Sequence, residues 1–360
     1  MTQRTAARSS VEDRRRHERH LLERYLEHLR SRGVRDYGYD DLYRDYRLTL
    51  PLLLAFAVAV SLTVGAGSFH GGDVSALLAS RGDRTAIGII VGAAVAMAGT
   101  AMQGITRNPL ADPGILGINA GSALAVVIGI TWWGVSNLLG YVLLSLVGAA
   151  VAAVAVMALA TFGARALGQA SQSGPLTLAL SGMVFTAGTS SIAQAVLVSN
   201  GKSLDTYRFW QVGSVAGRDL GDLVPAVPFL LIGFLVLLAS GRRLDVLAMG
   251  DSVAAGLGER PGRLRLVIGG AGVLLAAAAT GIAGPIAFVG LVAPHVLRPL
   301  IGTSYRVLVP AAGVLGACIV VLADTLGRIV SPPGEVQVGI MTAVLGCPAL
   351  LWVVARMRSL

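Results

Sequence analysis

Ten apolar runs separated by short polar turns constrain this chain more than any other feature: residues 49–69, 86–104, 114–133, 138–162, 176–199, 223–240, 264–281, 284–301, 307–327 and 337–355. Each is close to the roughly 20 residues a helix needs to cross a bilayer. The expectation is an all-α polytopic membrane protein with about ten transmembrane helices. Only 14% of the chain is charged and 54% is hydrophobic, whereas soluble domains carry about 25% charge. The 46 glycines suit helices that approach closely in lipid. Gly284-Pro285 and Pro294-His295 interrupt the eighth run, where a broken helix is expected.

Residues 1–47 stand apart as a polar, amphipathic segment, and 48–360 form the transmembrane domain. Ser10-Val11-Glu12-Asp13 can open a helix as a capping box, and Leu21, Leu22, Tyr25, Leu26 and Leu29 recur on one face. Its 12 arginines face nine acids, a mixture unlike the polybasic patches that hold segments on anionic lipid. Basic residues also set orientation. With the N-terminus in the cytoplasm, the inner turns and C-terminal tail hold eleven basic residues; the outer side holds six: Arg81, Arg84, Lys202, Arg208, Arg218 and Arg328. The positive-inside rule favours that arrangement, and an even number of spans brings both termini to the cytoplasm.

Several chemistries are not supported. Gly201-Lys202-Ser203 matches the end of a phosphate-binding loop, but Val196 stands where its first glycine belongs and no strand precedes it. The five histidines make no ligand set with metal spacing. Cys318 and Cys347 lie in apolar runs without a CxxC. The net charge of +9 is not gathered on a soluble module with stacking aromatics, so no nucleic acid is expected. Asp324 is the nearest approach to an intramembrane acid, and Arg328 one helical turn on makes a local ion pair the simpler reading. No catalytic residue, metal site or bound cofactor is expected in this chain.

Two polar stretches are more specific. Gln103-Gly104-Ile105-Thr106-Arg107-Asn108-Pro109-Leu110-Ala111-Asp112-Pro113-Gly114 is a short, proline-punctuated turn between two apolar runs. Residues 241–260 are too polar to span, yet Leu247, Met249, Val253, Ala254 and Leu257 can give short helices an apolar face. Such a pair on the cytoplasmic side can enter a groove on a partner, lie on the lipid surface, or pack on its own bundle.

With Gly284-Pro285-Ile286-Ala287-Phe288-Val289-Gly290-Leu291-Val292-Ala293-Pro294-His295 and Val338-Gly339-Ile340-Met341-Thr342-Ala343-Val344-Leu345-Gly346-Cys347-Pro348, these stretches resemble, in order and spacing, the blocks of the FecCD-type permeases. Those are the membrane subunits of ABC importers for iron-siderophores, haem and cobalamin. The resemblance implies the ABC importer permease fold, a second permease subunit as a homodimer around a central pathway, and alternating access. It implies two cytoplasmic ABC ATPase subunits, which would hold the ATP and Mg, and an extracytoplasmic substrate-binding protein. The location implied is the cytoplasmic membrane. By resemblance, Gln103, Gly104, Arg107, Asn108, Pro109, Asp112, Pro113 and Gly114 are the signature turn. Asp245, Leu247, Met249, Gly250, Asp251, Leu257 and Gly258 couple to the ATPase. Arg81, Arg84 and Arg328 meet acidic residues of the binding protein. Gly284, Pro285, Gly290 and Pro294 are gate or hinge positions. The alternative is an ion-gradient-driven secondary transporter, which needs a polar or acidic site at mid-membrane, and few such groups are present.

Overall fold

The computed structural model describes residues 39–64, 74–114, 116–166, 175–332 and 334–357, with Glu23 and Glu27 besides. The capping box and leucine face expected within residues 10–29 lie otherwise outside the described residues. Where described, the chain is helical and without strands: α1 Tyr39–Thr63, α2 Val74–Thr106, α3 Ile118–Trp133, α4 Leu138–Ala166, α5 Pro175–Val198 and α6 Gly201–Gln211. There follow α7 Leu220–Leu223, a 3-10 turn Val224–Ala226, α8 Val227–Ala239, α9 Gly241–Ala248, α10 Asp251–Gly256, α11 Pro261–Ala283, α12 Val289–Ile301, α13 Tyr305–Val330 and α14 Val338–Met357.

Among the described residues, six stretches are long and apolar enough to cross a membrane: Leu78–Thr106, Leu138–Gly163, Thr177–Val198, Leu220–Ala239, Pro261–Ala283 and Tyr305–Val330. Leu48–Thr63, Ile118–Trp133, Val289–Ile301 and Val338–Leu351 are shorter apolar helices. Each of the ten apolar runs falls on one of these. Three details differ from expectation. Helix α1 starts within the polar segment and continues unbroken into the first run as far as Thr63. Helix α2 starts at Val74 rather than near residue 86, so Arg81 and Arg84 are helical. Residues 284–287 are not helical, and α12 begins only at Val289, yet it passes through Pro294 and Pro299 without ending.

Helices α2, α11 and α13 form the buried centre, while α4, α5 and α8 expose long apolar faces such as Val147, Val151, Val154, Leu231 and Leu235. Lipid tails are as apolar as leucine, so close packing rather than the hydrophobic effect must hold these helices together. Glycines permit it. Gly92 of α2 lies against the backbone of Gly316 in α13, and Gly99 against that of Gly290 in α12; a Cβ at either α2 position would overlap a carbonyl. Hydroxyls add interhelical bonds: Ser145 Oγ donates to Ala277 O at 2.7 Å and Ser122 Oγ to Ser145 O at 3.0 Å. Bonds of this kind contribute on the order of 0.6 kcal/mol each in lipid.

Gly99→Ala should therefore lower the thermal midpoint of the detergent-solubilised protein, despite a gain of about 1 kcal/mol in helix propensity. Gly188→Ala on α5, where a Cβ meets nothing within 4 Å, should leave it level or raise it. Equal midpoints for the two variants would contradict the packing described.

Candidate functional site

At one end of the bundle α2 finishes, and the sequence from Gln103 to Gly114 turns the chain into α3. Gln103 is buried and its Oε1 accepts from the Arg298 guanidinium of α12 at 2.5 Å. Gly104 lets α2 lie flush on its neighbours: a Cβ there would stand 2.8 Å from Leu244 Cδ2 and 3.1 Å from the Tyr305 ring. Arg107 ends the helix in the left-handed region, φ 51°. Asn108 Oδ1 then accepts from Leu110 N at 3.0 Å, and Asp112 Oδ1 from Gly114 N at 2.8 Å. Two side-chain-capped turns around Pro109 and the buried Pro113 give the segment a local rigidity of its own. Asp112 is wedged against α12, its Oδ2 2.8 Å from where a Cβ of Gly290 would stand. Burial pushes its pKa up to about 6, opposed by the Gly114 N–H.

The same end carries α9 and α10, the helix pair expected from residues 241–260. Gly250, at φ 117°, makes the bend between them, a conformation that side chains with a Cβ rarely adopt. The pair is two-faced. Leu244, Leu247 and Ala254 are fully buried, whereas Met249, Val253 and Leu257 are 58%, 43% and 48% exposed. Both carboxylates turn inward. Asp245 accepts from Ser304 Oγ at 2.9 Å and from Tyr305 N at 2.6 Å, securing α9 to the first turn of α13. Asp251 accepts from Arg107 at 2.6 Å and from both terminal nitrogens of Arg265 at 2.8 Å, while Arg265 Nε donates to Ile105 O at 3.2 Å. The signature turn, α10 and α11 are thus joined through one carboxylate. These groups are half-exposed, so each pair contributes at most about 1 kcal/mol and the network fixes orientation more than stability. Of the residues assigned to coupling, Met249, Leu257 and Gly258 are on the surface; Asp245, Leu247 and Asp251 serve as the mount.

At the opposite end, the three arginines expected to face outward point into the bundle. Arg81 is 5% exposed and donates to Leu62 O and Thr63 O of α1 at 3.0 and 3.4 Å. Arg328 is 3% exposed and donates to Ser61 O at 3.1 Å and Ser61 Oγ at 2.7 Å. Arg84 grips Asp324 with two 2.8 Å bonds and reaches Glu335 at 2.7 Å. Arg328 lies 3.4 Å from Asp324, the local pair expected from the sequence. A charged side chain can occupy this depth because another satisfies it.

The gate residues lie near a junction of three backbones. Gly284 (φ 74°) and Gly339 both press on Gly213. Ser214 N donates to Ala283 O at 2.7 Å and Gly339 N to Gly213 O at 3.0 Å, so the α6–α7 link, the α11–α12 break and the start of α14 meet there. Five residues on from Ala283, Phe288 takes φ 68°. Arg107 and Phe288 are the two non-glycine residues with positive φ among those described, and such strain, about 1–3 kcal/mol, collects where a chain must switch. Phe288 was not singled out from sequence, since nothing in residue type signals a left-handed phenylalanine. Pro285 adjoins the junction, whereas Gly290 and Pro294 pack inside the bundle.

Sequence reading also missed a polar face on α5. Thr186, Ser190 and Gln194 follow one another at four-residue spacing, with Ser190 and Gln194 exposed. A polar face at this depth belongs against protein or water rather than lipid. The spacing was legible, but a net apolar run hides three polar residues. Among the described residues, no three His, Cys, Asp or Glu side chains come together in a way that could hold a metal ion.

The profile of the FecCD transport family matches residues 52–356. The chain belongs to the FecCD transport family. This FecCD chain is 37% identical over 321 residues to the ferric enterobactin transport system permease protein FepD of Escherichia coli, covering 85% of this chain and 94% of that one. It is 35% identical over 322 residues to the Fe(3+)-citrate import system permease protein YfmD of Bacillus subtilis, covering 86% and 94%. With the hemin transport system permease protein HmuU of Yersinia pestis it shares 34% over 282 residues, covering 77% and 82%. A solved structure described as a metal-chelate type ABC transporter in an inward-facing conformation superposes with a TM-score of 0.73 at 29% identity, over 86% of this chain and 98% of that one. The FecCD chain is accordingly a multi-pass membrane protein with a permease fold.

Asp112 gives this end a pH signature. Its folded pKa lies above the ordinary 3.8, so the charged form is disfavoured by folding. That contribution is fully present below about pH 4 and is lost as the pH rises through about 6. Asp112→Asn keeps an acceptor for Gly114 N and removes the charge. Its thermal midpoint should exceed that of the unmutated protein at pH 7.5, and the difference should shrink from pH 6 to pH 4. A difference constant across that range would contradict the assignment.

Proposed function

We propose that this chain is the membrane-spanning permease subunit of an ATP-driven importer, with an iron-siderophore or a related metal chelate as cargo. One observation carries the mechanical part: α9 and α10 hold Met249, Val253 and Leu257 outward on a base fixed through Asp245 and Asp251. An exposed apolar knob on a rigid mount suits a groove on a partner that must push. The partner is a cytoplasmic ABC ATPase, two copies per importer, which supplies the ATP hydrolysis. The siderophore, citrate and haem systems in which the relatives are named support the class of cargo.

The rest follows from the same geometry. A second copy of the chain pairs across a central pathway, and the Thr186–Ser190–Gln194 face of α5 lines it with water-compatible groups. The chain lies in the cytoplasmic membrane with both termini inside, as its basic residues favour. ATP-driven movement of α9–α10 passes through Asp251 to α2 and α11, and the Gly284–Phe288 break flexes as access alternates. An extracytoplasmic binding protein docks at the opposite end. Arg81 and Arg328 are held inside, so Arg84 with Glu335, 14% and 32% exposed at the rim, is the pair that its lobes would meet. A gradient-driven mechanism finds less support, because the Asp324 carboxylate is already neutralised by Arg84 and Arg328.

Met249→Ser with Leu257→Ser should leave the chain folded, because both side chains are already in solvent. Co-purification of the partner ATPase should fall by about tenfold or more, the loss of roughly 1.4 kcal/mol of binding. Undiminished co-purification would remove the coupling role from this surface.

A further inference from the structure

Beside the three-backbone junction lies a cavity of about 300 Å³ that none of the roles above uses. It is built by separate elements: Tyr141 at the start of α4, Trp210 at the end of α6, Ser214 and Arg218 on the link to α7, Ala283 at the end of α11, and Gln337 just before α14. Its chemistry is one-sided. Among the described residues, no carboxylate lines it. The Arg218 guanidinium makes no hydrogen bond or ion pair with a described residue; the carboxylate that feels its charge, Asp222, takes the Asp219 N–H in a helix cap. Trp210 is 5% exposed, and its Nε1–H is buried without an acceptor. Ser214 Oγ accepts from Ala216 N at 3.1 Å, which leaves its own proton to give. Against these donors stands one acceptor without a partner, the buried Oε1 of Gln337.

An unpartnered buried donor or acceptor costs about 1–3 kcal/mol, so two beside one cavity ask for a common occupant. A guanidinium and an indole N–H call for an oxyanion. The Gln337 oxygen calls for an O–H on the same molecule. The volume lies at the lower limit of small-molecule sites, about 300 Å³. We propose that this cavity binds a small oxyanion that also carries a hydroxyl group, with Arg218 as counter-ion, Trp210 and Ser214 as donors, and Gln337 as acceptor of the hydroxyl proton. Two sources share that chemistry: a soluble hydroxycarboxylate, and a phosphatidylglycerol headgroup. The inference stands on the cavity alone and does not depend on the transport reading. Bound there, the anion would tie the α6–α7 link to α11 and α14 at the junction, and so bear on the adjacent gate.

The test uses the full-length chain in phosphatidylcholine nanodiscs, titrated calorimetrically with citrate and with tricarballylate, which is citrate without its hydroxyl. Citrate should bind saturably at one site per chain, and tricarballylate at least about tenfold more weakly, as sites that hydrogen-bond a hydroxyl discriminate strongly against its loss. Arg218→Gln should weaken citrate about tenfold or more. Trp210→Phe, which keeps an aromatic body without the N–H, should weaken it severalfold. Arg208→Gln, at a side chain 67% exposed outside the cavity, should change nothing. Arg218→Lys serves where the glutamine variant fails to fold, and it too should weaken binding because the planar fork is gone. Nanodiscs containing phosphatidylglycerol separate the sources: competition with citrate identifies the headgroup as occupant, and unchanged citrate affinity identifies the soluble anion. Absence of both saturable citrate binding and Arg218-dependent retention of phosphatidylglycerol would overturn the proposal, as would citrate binding equal in Arg218→Gln and the unmutated chain.

Discussion

Helix α2 meets its neighbours backbone to backbone, and the remaining organisation depends on that contact. In water the burial of apolar side chains could hold such a bundle together, but among lipid tails it cannot. What remains is dispersion between surfaces close enough to gain from it. Gly92 on Gly316 and Gly99 on Gly290 provide that closeness, and they run down α2 toward the Gln103–Gly114 turn. A helix seated this tightly moves as a rod. A displacement imposed at Arg107 would be passed along it toward Arg81 and Arg84 at the opposite end of the bundle.

The two ends of the rod are built differently. At the turn end, Asp251 collects Arg107 and Arg265 in a half-exposed network that water can reach and salt can screen. Such pairs orient and release readily. At the opposite end, Arg81 and Arg328 are deep, satisfied by α1 carbonyls and Ser61, and Arg84 reaches inward from the rim to Asp324. Removing one partner there strands a charge, which costs several kcal/mol in a buried pair. One end is suited to being pushed and the other to holding a shape. Between them the strained Phe288 and the glycine junction offer places where the bundle can change without breaking its helices.

Much of this was legible in the sequence, for a physical reason. The bilayer imposes a length and a polarity on every span, so ten apolar runs gave ten apolar helices and the fold class with them. The turn at residues 103–114 and the pair at 241–260 were legible because Pro, Asn, Asp and Gly act locally. Burial was not. Leu247 and Met249 look equally apolar in sequence, yet one is fully buried and the other 58% exposed, because a helix turns them to opposite sides. Arg81 and Arg84 were expected to face a partner because their acceptors, Leu62, Thr63 and Asp324, are distant in sequence and are brought close only by packing. The early start of α2 was hidden by the same charges, which are unfavourable in a span until those partners are counted. Helix α6, capped where Asn200 Oδ1 accepts from Ser203 N at 3.3 Å, went unrecognised because its sequence reads as an ordinary polar link.

The proposed transport rests on a division of labour in which this chain supplies the path and a partner supplies the energy. The most direct measurement is uptake of a labelled ferric siderophore into vesicles containing the chain alone, or the chain with its ATPase and binding protein, each with and without internal ATP in an orientation that exposes the docking end. Accumulation against a gradient that appears only with the ATPase and ATP present is the predicted result. Saturable accumulation by the chain alone, sustained by an ion gradient and indifferent to ATP, would contradict it.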